Sequence, residues 1–338
     1  MAQSISNGWL SARPTDQIAA IVHSDGDSIA HVGTGLAQVF SRDFPDAQDI
    51  ERRGDGPRRI LWISHSQRSA MIDLAEAATW PGNSDPRGSS SFLAHDLLFL
   101  ADLGISYVHI HLPVLMSNTD LGIGLLSGLS HITLAYNSSI DVLSNALHKA
   151  RSALGTMALY VTYPHDQDLL GLAGLARTWQ RSGLDPNLAH LINKDMATFA
   201  HNLDQAAQVR SSSLLNAEPT LTFEGVGGGL GKIFYLLKAK LDLIGQNLVL
   251  PPEADIYIYV TDHLELNVPR GLQVVAEHAE SLGVPVVLVA AHTQLVRGEL
   301  PGLGVHGLYR LPTESEPFHT QGLEELGARL ASTWGWDT

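Results

Sequence analysis

The sequence predicts an α/β protein with two domains. Its 338 residues exceed what one hydrophobic core usually holds, so two domains are the expected organisation. The last third of the chain alternates between strand-like and helix-like segments, which indicates a largely parallel sheet covered by helices. Hydrophobic residues make up 44% of the chain, as is typical of a globular protein.

The first half of the chain predicts strands and helices joined by polar connections. A helix is expected to begin near Thr15 and Asp16, which are candidate caps, and no apolar strand precedes it. The basic stretch ERRGDGPRR (51–59) predicts an exposed connector. Beyond it, strands are predicted for RILWIS (59–64), SYVHIHLPVLM (106–116) and MALYVTYP (157–164), and helices for 91–104 and much of 168–218.

The second half begins with a glycine-rich loop at 225–231. The following segment GKIFYLLKAKLDLI (231–244) predicts a helix. Strands are predicted for ADIYIYVTD (254–262), VPVVLVAA (284–291) and VHGLYRLP (305–312), and helices for 270–283 and 320–334. Ligands of parallel sheets bind at the carboxyl ends of the strands, so the loops after residues 262 and 291 are candidate site regions.

The composition excludes several function classes. A net charge of −14 argues against nucleic acid as a partner, since such binders need a basic surface. The absence of cysteine excludes disulfides and thiol catalysis and is consistent with a cytoplasmic protein. The apolar runs are too short to span a membrane, and no signal peptide is expected. The sequence contains no G-x-S-x-G motif, so serine-hydrolase chemistry has no support.

The glycine-rich loop leaves two interpretations open. It is not a phosphate loop of nucleotide hydrolases, because Val226 stands where the first glycine belongs and Ile233 follows Lys232. It is not a dinucleotide fingerprint either, because Leu230 takes the last glycine position. Backbone amides at the start of a helix could bind phosphate, or the glycines only permit positive φ and close packing. The candidate phosphate- or nucleotide-binding residues are Gly225, Gly227, Gly228, Gly229, Gly231, Lys232 and Arg270.

Carboxylates near predicted strand ends are the candidate catalytic groups. Asp262 and Glu265 follow an apolar strand, where a base or a magnesium ligand would be useful, although solvated loop carboxylates are the alternative. Asp120 lies in the glycine-containing turn SNTDLGIG, with an Asx turn or a helix cap as its alternative. Asp25 in SDGD could bind a cation or belong to a plain turn, and Ser91 lies in a serine run that could cap a helix.

The histidines give weaker signals. His109 and His111 lie two apart on a predicted strand and therefore share a face, but no third ligand stands at a recognisable spacing. No metal site is predicted from them. His263, next to Asp262, is a further acid/base candidate.

The order of these segments resembles that of the bacterial glycerate kinases of the glyoxylate-pathway type. The run GVGGGLGKIFYLLKAKLDLIGQNLVL (225–250) is similar to the family's G-A-A-G-G-L-G loop, its following helix and G-x-x-L-V-L. VLMSNTDLGIG (114–124) falls on G-G-S-A-T-N-D-G-G-A-G, and VHSDGDSIAHV (22–32) on A-D-G-G-E-G-T. HDQDLLGLAGLARTWQRSGLD (165–185) is similar to V-D-N-P-L-L-G-P, and ADIYIYVTDHLELNV (254–268) to A-D-L-V-I-T-G-E-G-R-L-D-A-Q-T.

The resemblance implies the glycerate kinase fold, with a Rossmann- or flavodoxin-like parallel-sheet domain and an inserted α/β domain. The predicted boundaries are 1–50 plus 245–338 for the first domain, 60–240 for the second and 51–59 for the connector. It also implies ATP- and magnesium-dependent phosphorylation of glycerate or a related small hydroxy acid. The candidate substrate or cation residues on matching segments are Asp25, Ser91, Asn118 and Asp166.

The sequence also departs from the family pattern. Asn7 stands where the family's D-S-F-K-G-S-L-S-A carries lysine, and Glu265 where its catalytic aspartate falls. A catalytically degenerate homologue that acts as a binding or regulatory protein is therefore the alternative. A dehydrogenase-like enzyme is a third hypothesis, which the missing dinucleotide fingerprint disfavours.

Overall fold

The computed structural model divides into two compact units. Met1–Asp25 and Ile244–Thr338 form one, here called the terminal unit, and Gly26–Leu243 form the other, here called the central unit. The structure describes residues 1–21, 36–52, 56–74, 86–113, 120–207, 221–264, 268–310 and 320–336, without the side chains of Asp262, His263 and Thr320. The sequence placed the boundaries at 50 and 245, whereas the units divide after residues 25 and 243.

The central unit contains a six-stranded sheet in the order β1-β2-β3-β4-β5-β6. The first three strands pair antiparallel, and β3 to β6 pair parallel. Because parallel strands point the same way, the carboxyl ends of β3, β4 and β5 lie at one edge. The strands are β1 (Gln48–Arg52), β2 (Arg59–Ser64), β3 (Ser69–Asp73), β4 (Tyr107–His111), β5 (Ala158–Tyr163) and β6 (Lys240–Leu243).

One face of this sheet carries the core of the central unit. Alternate strand residues such as Ile72, Ile110 and Val161 are fully buried, and they join one hydrophobic cluster with helix residues. After α1 (Ala2–Ala12), which belongs to the terminal unit, the helices are α2 (Leu36–Asp43), α3 (Ser91–Asp102), α4 (Ile123–Ser130), α5 (Ile140–Leu154), α6 (Leu175–Arg181), α7 (Pro186–Ala206) and α8 (Leu230–Leu236).

The terminal unit contains a three-stranded parallel sheet in the order β7-β8-β9. Its strands are β7 (Tyr257–Leu264), β8 (Val286–Thr293) and β9 (Gly307–Arg310), and its later helices are α9 (Arg270–Leu282) and α10 (Thr320–Trp334). Helices α1 and α10 pack at glycines: a Cβ on Gly8 would lie 1.9 Å from the carbonyl oxygen of Glu324, and one on Gly327 would lie 2.2 Å from that of Ile5. Only glycine allows backbones to approach this closely.

Most predicted elements are confirmed, and three predictions are wrong. The first helix ends at Ala12, before the predicted caps, and Asp16 instead accepts a hydrogen bond from Trp9 Nε1 (2.8 Å). The helix predicted for 231–244 stops at Leu236, because Lys238 adopts a φ of 68° and turns the chain into edge strand β6. The predicted connector 51–59 is partly sheet, since β1 extends to Arg52 and β2 begins at Arg59. No helix in the described ranges is long and apolar enough to cross a membrane.

Candidate functional site

The glycine-rich loop lies at the carboxyl edge of the central sheet. Gly227 N–H donates to the carbonyl of Pro113 (2.8 Å), which follows β4. Gly225 N–H donates to the carbonyl of Gln167 (2.8 Å), which follows β5. These bonds bring residues 225–231 to the edge where parallel sheets usually bind ligands. We call this region of the central unit the carboxyl-edge site.

The loop conformation requires its glycines. Gly227, Gly228 and Gly229 have φ angles of 60°, 68° and 98°, in the left-handed region that side chains disfavour. A Cβ on Gly229 would lie 2.7 Å from Leu121 Cδ2, and one on Gly231 would lie 2.1 Å from the carbonyl oxygen of Phe223. The loop therefore packs directly against the residue that follows Asp120.

The amides of this loop donate to the chain's own carbonyls. Besides the two bonds above, Gly229 N–H donates to Gly225 O (3.0 Å), Val226 N–H to Phe223 O (3.1 Å), and Leu230 N–H to Val226 O. A phosphate at this loop would compete with those carbonyls for the same donors. The positive φ angles and the close contacts agree with the interpretation that the glycines permit tight packing. Phosphate binding by the loop stays a prediction.

Lys232 is buried between two carboxylates. Its Nζ lies 2.8 Å from Asp204 Oδ1 and 2.8 Å from Glu224 Oε1. The lysine side chain is 5% exposed, so its charge depends on these partners rather than on water. The predicted role of Lys232 on phosphate would require it to leave at least one of them.

Asp120 is a buried carboxylate at the start of α4. It accepts hydrogen bonds from Gly124 N–H (2.8 Å), Ser90 N–H (3.3 Å) and Ser90 Oγ–H (2.5 Å). Ser90 Oγ in turn accepts from Leu125 N–H (2.9 Å). Asp120 and Ser90 together satisfy two of the free N–H groups at the helix start, as the helix-cap alternative predicts.

Burial raises the pKa of Asp120. Removal from water opposes the charged form, while the hydrogen bonds from Ser90 and Gly124 act in the opposite direction and only partly offset it. A buried carboxylate with a raised pKa is a common component of catalytic sites, although helix caps also perturb pKa values.

Exposed polar groups surround these buried ones. Ser89 Oγ–H donates to Ser91 Oγ (3.0 Å), and a Cβ on Gly124 would lie 2.7 Å from Ser89 Oγ. Asp166, which follows β5, is exposed, and its carboxylate acts on the Tyr163 hydroxyl. Burial, and secondarily the Asp166 charge, raise the pKa of Tyr163. Ser91, Asp120, Asp166 and the glycine loop are thus all brought to the carboxyl-edge site.

Three of the remaining candidate residues are not described, and two belong to the terminal unit. Asp25, Asn118 and Glu265 lie outside the described residues. Asp262 lies on β7 of the terminal unit, and its side chain is not described. Arg270 begins α9 in the same unit, where it pairs with Glu277 (2.8 Å) and donates to Gln246 Oε1 (2.6 Å).

Two histidines on β4 both contact the hydroxyl of one threonine, a contact that the sequence did not predict. His109 Nε2 and His111 Nδ1 lie 2.7 and 3.0 Å from Thr162 Oγ1. One hydroxyl has one proton, so at least one ring must donate to it. Burial, together with the neighbouring His111, lowers the pKa of His109 to about 3. The i, i+2 spacing showed the shared face, but Thr162 lies on another strand. Within the described ranges, no three His, Asp or Glu side chains cluster as metal ligands would.

Comparison with solved structures shows a likeness at the level of fold. A solved structure described as "putative glycerate kinase 2" from Salmonella typhimurium LT2 superposes with a TM-score of 0.70 at 16% identity, covering 98% of this chain and 92% of that one. No family model matches the sequence. No curated protein matches it either. The likeness confirms the predicted α/β fold of the glycerate kinase type.

Proposed function

We propose that this protein is a kinase-like phosphotransferase acting on a small hydroxy acid such as glycerate. One observation carries the proposal: the glycine loop, the Asp120 turn and the segment after β5 meet at one carboxyl edge. This arrangement occurs in a chain whose fold matches that of the Salmonella protein. Segments far apart in sequence meet there, as expected of a binding site in a parallel sheet.

The resemblance implies ATP and Mg²⁺, which would supply the phosphoryl group and neutralise its charge. The described residues do not fit a triphosphate held by the glycine loop. At least five of its seven amides donate to carbonyls of the chain itself, and Lys232 is already paired with Asp204 and Glu224.

The groups that remain available suit a hydroxy acid. The Ser89 and Ser91 hydroxyls and the exposed Asp166 carboxylate can hydrogen-bond the acid's hydroxyl groups. Asp120 acts as a positioning residue in this proposal, because it holds Ser90 between these two serines. Because the serine hydroxyls are already held in place, they would orient the acceptor hydroxyl before transfer, so no further entropy is lost in the transfer step itself.

A coupled ADP-release assay with glycerate, tartronate and related acids tests the activity. We expect turnover in the wild-type protein and a loss of at least about tenfold in Asp166→Asn. Asp102→Asn is the matched control. Asp102 is exposed and ends α3, and this end of the helix leads to the amino end of β4 rather than to its carboxyl end. Equal losses in both variants would reject a role for Asp166 in the site.

A second candidate function is that of a non-catalytic acid-binding protein. Two observations favour this function: most amides of the glycine loop donate to carbonyls of the chain, and Lys232 pairs with carboxylates. Few donors are therefore left for a phosphate. Thermal unfolding with each acid, with and without ATP and Mg²⁺, separates the two functions, since a ligand selective for the folded form raises Tm. Stabilisation by the acid alone, with no response to millimolar ATP and Mg²⁺ and no turnover, would favour this second function over the first.

A further inference from the structure

We propose that the terminal unit binds a small organic anion carrying a flat ring, in a cavity beside edge strand β9. The cavity has a volume of about 770 Å³ and lies between the β8–β9 connection, β9 and Trp334. Its volume falls in the range of small-molecule sites. It is formed by terminal-unit residues, so this inference goes beyond the phosphotransferase proposed for the carboxyl-edge site.

Three cationic or donor side chains line the cavity. Arg310 donates through Nη2 to the carbonyl of Leu295 (2.7 Å), which anchors its guanidinium and leaves other N–H groups to donate. Arg297 is exposed and has no hydrogen-bond or ion-pair partner among the described residues. A guanidinium keeps its charge at any physiological pH and matches carboxylate and phosphate geometry.

His306 adds a hydrogen-bond donor whose tautomer is fixed by a backbone contact. The backbone N–H of Val286 donates to His306 Nδ1 (3.1 Å). An amide nitrogen can only donate, so Nδ1 is the acceptor and the proton of the neutral ring resides on Nε2. His306 is exposed on the cavity wall, where this Nε2–H can donate to an anion.

The local charge is opposite to that of the whole chain. The protein has 35 acidic and 21 basic residues, yet none of the described residues lining the cavity is Asp or Glu. The nearby Glu299 accepts a hydrogen bond from Val296 N–H (2.9 Å) and so caps its own loop. Guanidinium groups in a concave site with no carboxylate among its described lining residues favour a negatively charged ligand.

Aromatic side chains form part of the wall. Trp334 lies close to β9, because a Cβ on Gly307 would be 2.9 Å from Trp334 Cζ2. Its Nε1–H donates to the Tyr309 hydroxyl (3.0 Å), which fixes both rings. Ordered aromatic rings stack on flat ligands and lose little conformational freedom on binding. We favour a small ligand over an extended peptide, because β9 has only four residues with which to pair.

The test uses 2-naphthoate as the probe, with isothermal titration calorimetry and tryptophan fluorescence on the full-length chain. We expect saturable binding of 2-naphthoate and none of the neutral 2-naphthylmethanol. Arg297→Gln and Arg310→Gln should each raise Kd by about tenfold, since each removes a charged donor. Arg177→Gln, an exposed arginine of α6 in the central unit, is the control and should leave Kd unchanged. Trp334→Phe should remove the fluorescence response while calorimetric binding persists.

Three results would overturn the inference. The first is equal affinity for the neutral alcohol, and the second is an unchanged Kd in the Arg297→Gln/Arg310→Gln double variant. The third is tighter binding of an acidic heptapeptide than of 2-naphthoate, which would assign the surface to a peptide. Turnover by the carboxyl-edge site is measured separately, so its loss or presence does not affect these outcomes.

Discussion

Acidification should destabilise this protein through His109. In the folded protein its pKa falls from an ordinary 6.5 to about 3, because the ring is buried and His111 lies beside it. The unfolded chain therefore takes up a proton below pH 6.5 that the folded chain refuses until about pH 3. Stability from this group is complete at neutral pH and is lost as pH falls through that window. At pH 5 the loss amounts to at most about 2 kcal/mol of unfolding free energy.

Urea denaturation at pH 8 and pH 5 measures this effect by comparing the wild-type protein with His109→Gln. Glutamine can still hydrogen-bond Thr162 but does not titrate. The other fifteen histidines are common to both proteins, so the difference reports the His109 ring together with its coupling to the neighbouring His111. We expect the wild-type protein to lose about 2 kcal/mol more than the variant between these pH values. Equal losses, or an NMR titration of His109 with a midpoint near 6.5, would refute the reasoning.

Three further predictions concern stability. Asp96→Ala removes a buried carboxylate that pairs with the buried Arg59 guanidinium and should cost about 3–5 kcal/mol in urea denaturation, whereas exposed Asp102→Ala on the same helix should change stability by under about 0.5 kcal/mol. Gly231→Ala should cost about 1–3 kcal/mol, because its Cβ would overlap a carbonyl oxygen; Gly322→Ala meets no atom within 4 Å, so a loss in that variant as well would count against the steric explanation. The raised pKa of Asp120 means that the folded protein holds this proton more tightly than the unfolded chain does. The wild-type protein should therefore lose stability relative to Asp120→Asn as pH rises above about 4, and a constant difference from pH 4 to 7 would contradict this.

Local pattern predicted most of the buried strands but missed edge strand β6 and the interior strand β3. Strands β2, β4, β5, β7 and β8 were found because their apolar runs are bounded by polar turns. Strand β6 was missed because its four residues continue the apolar pattern of α8, and only the positive φ of Lys238 separates the two. Strand β3 was also missed, although its residues are mostly buried, because no turn signal marks it off from β2.

The site was harder to predict than the fold because its contacts are long-range. Pattern and resemblance pointed to Asp120 and the glycine loop, and the structure brings them together. Their partners were not predictable: Asp120 binds Ser90, 30 residues earlier, and Lys232 binds Asp204, 28 residues earlier. The sequence shows which side chains are charged, but only the folded structure shows which oppositely charged group pairs with each of them.

The packing of α1 against α10 has a consequence for synthesis of the chain. The apolar side chains of Ile5 and Trp9 are synthesised before the central unit, but α10, the helix that covers them, is synthesised after it. The central unit is continuous in sequence and can complete its core in the meantime. We therefore expect a nascent chain in which the central unit is folded while α1 still lacks its partner helix, so that α1 is a target for chaperones until α10 has been synthesised.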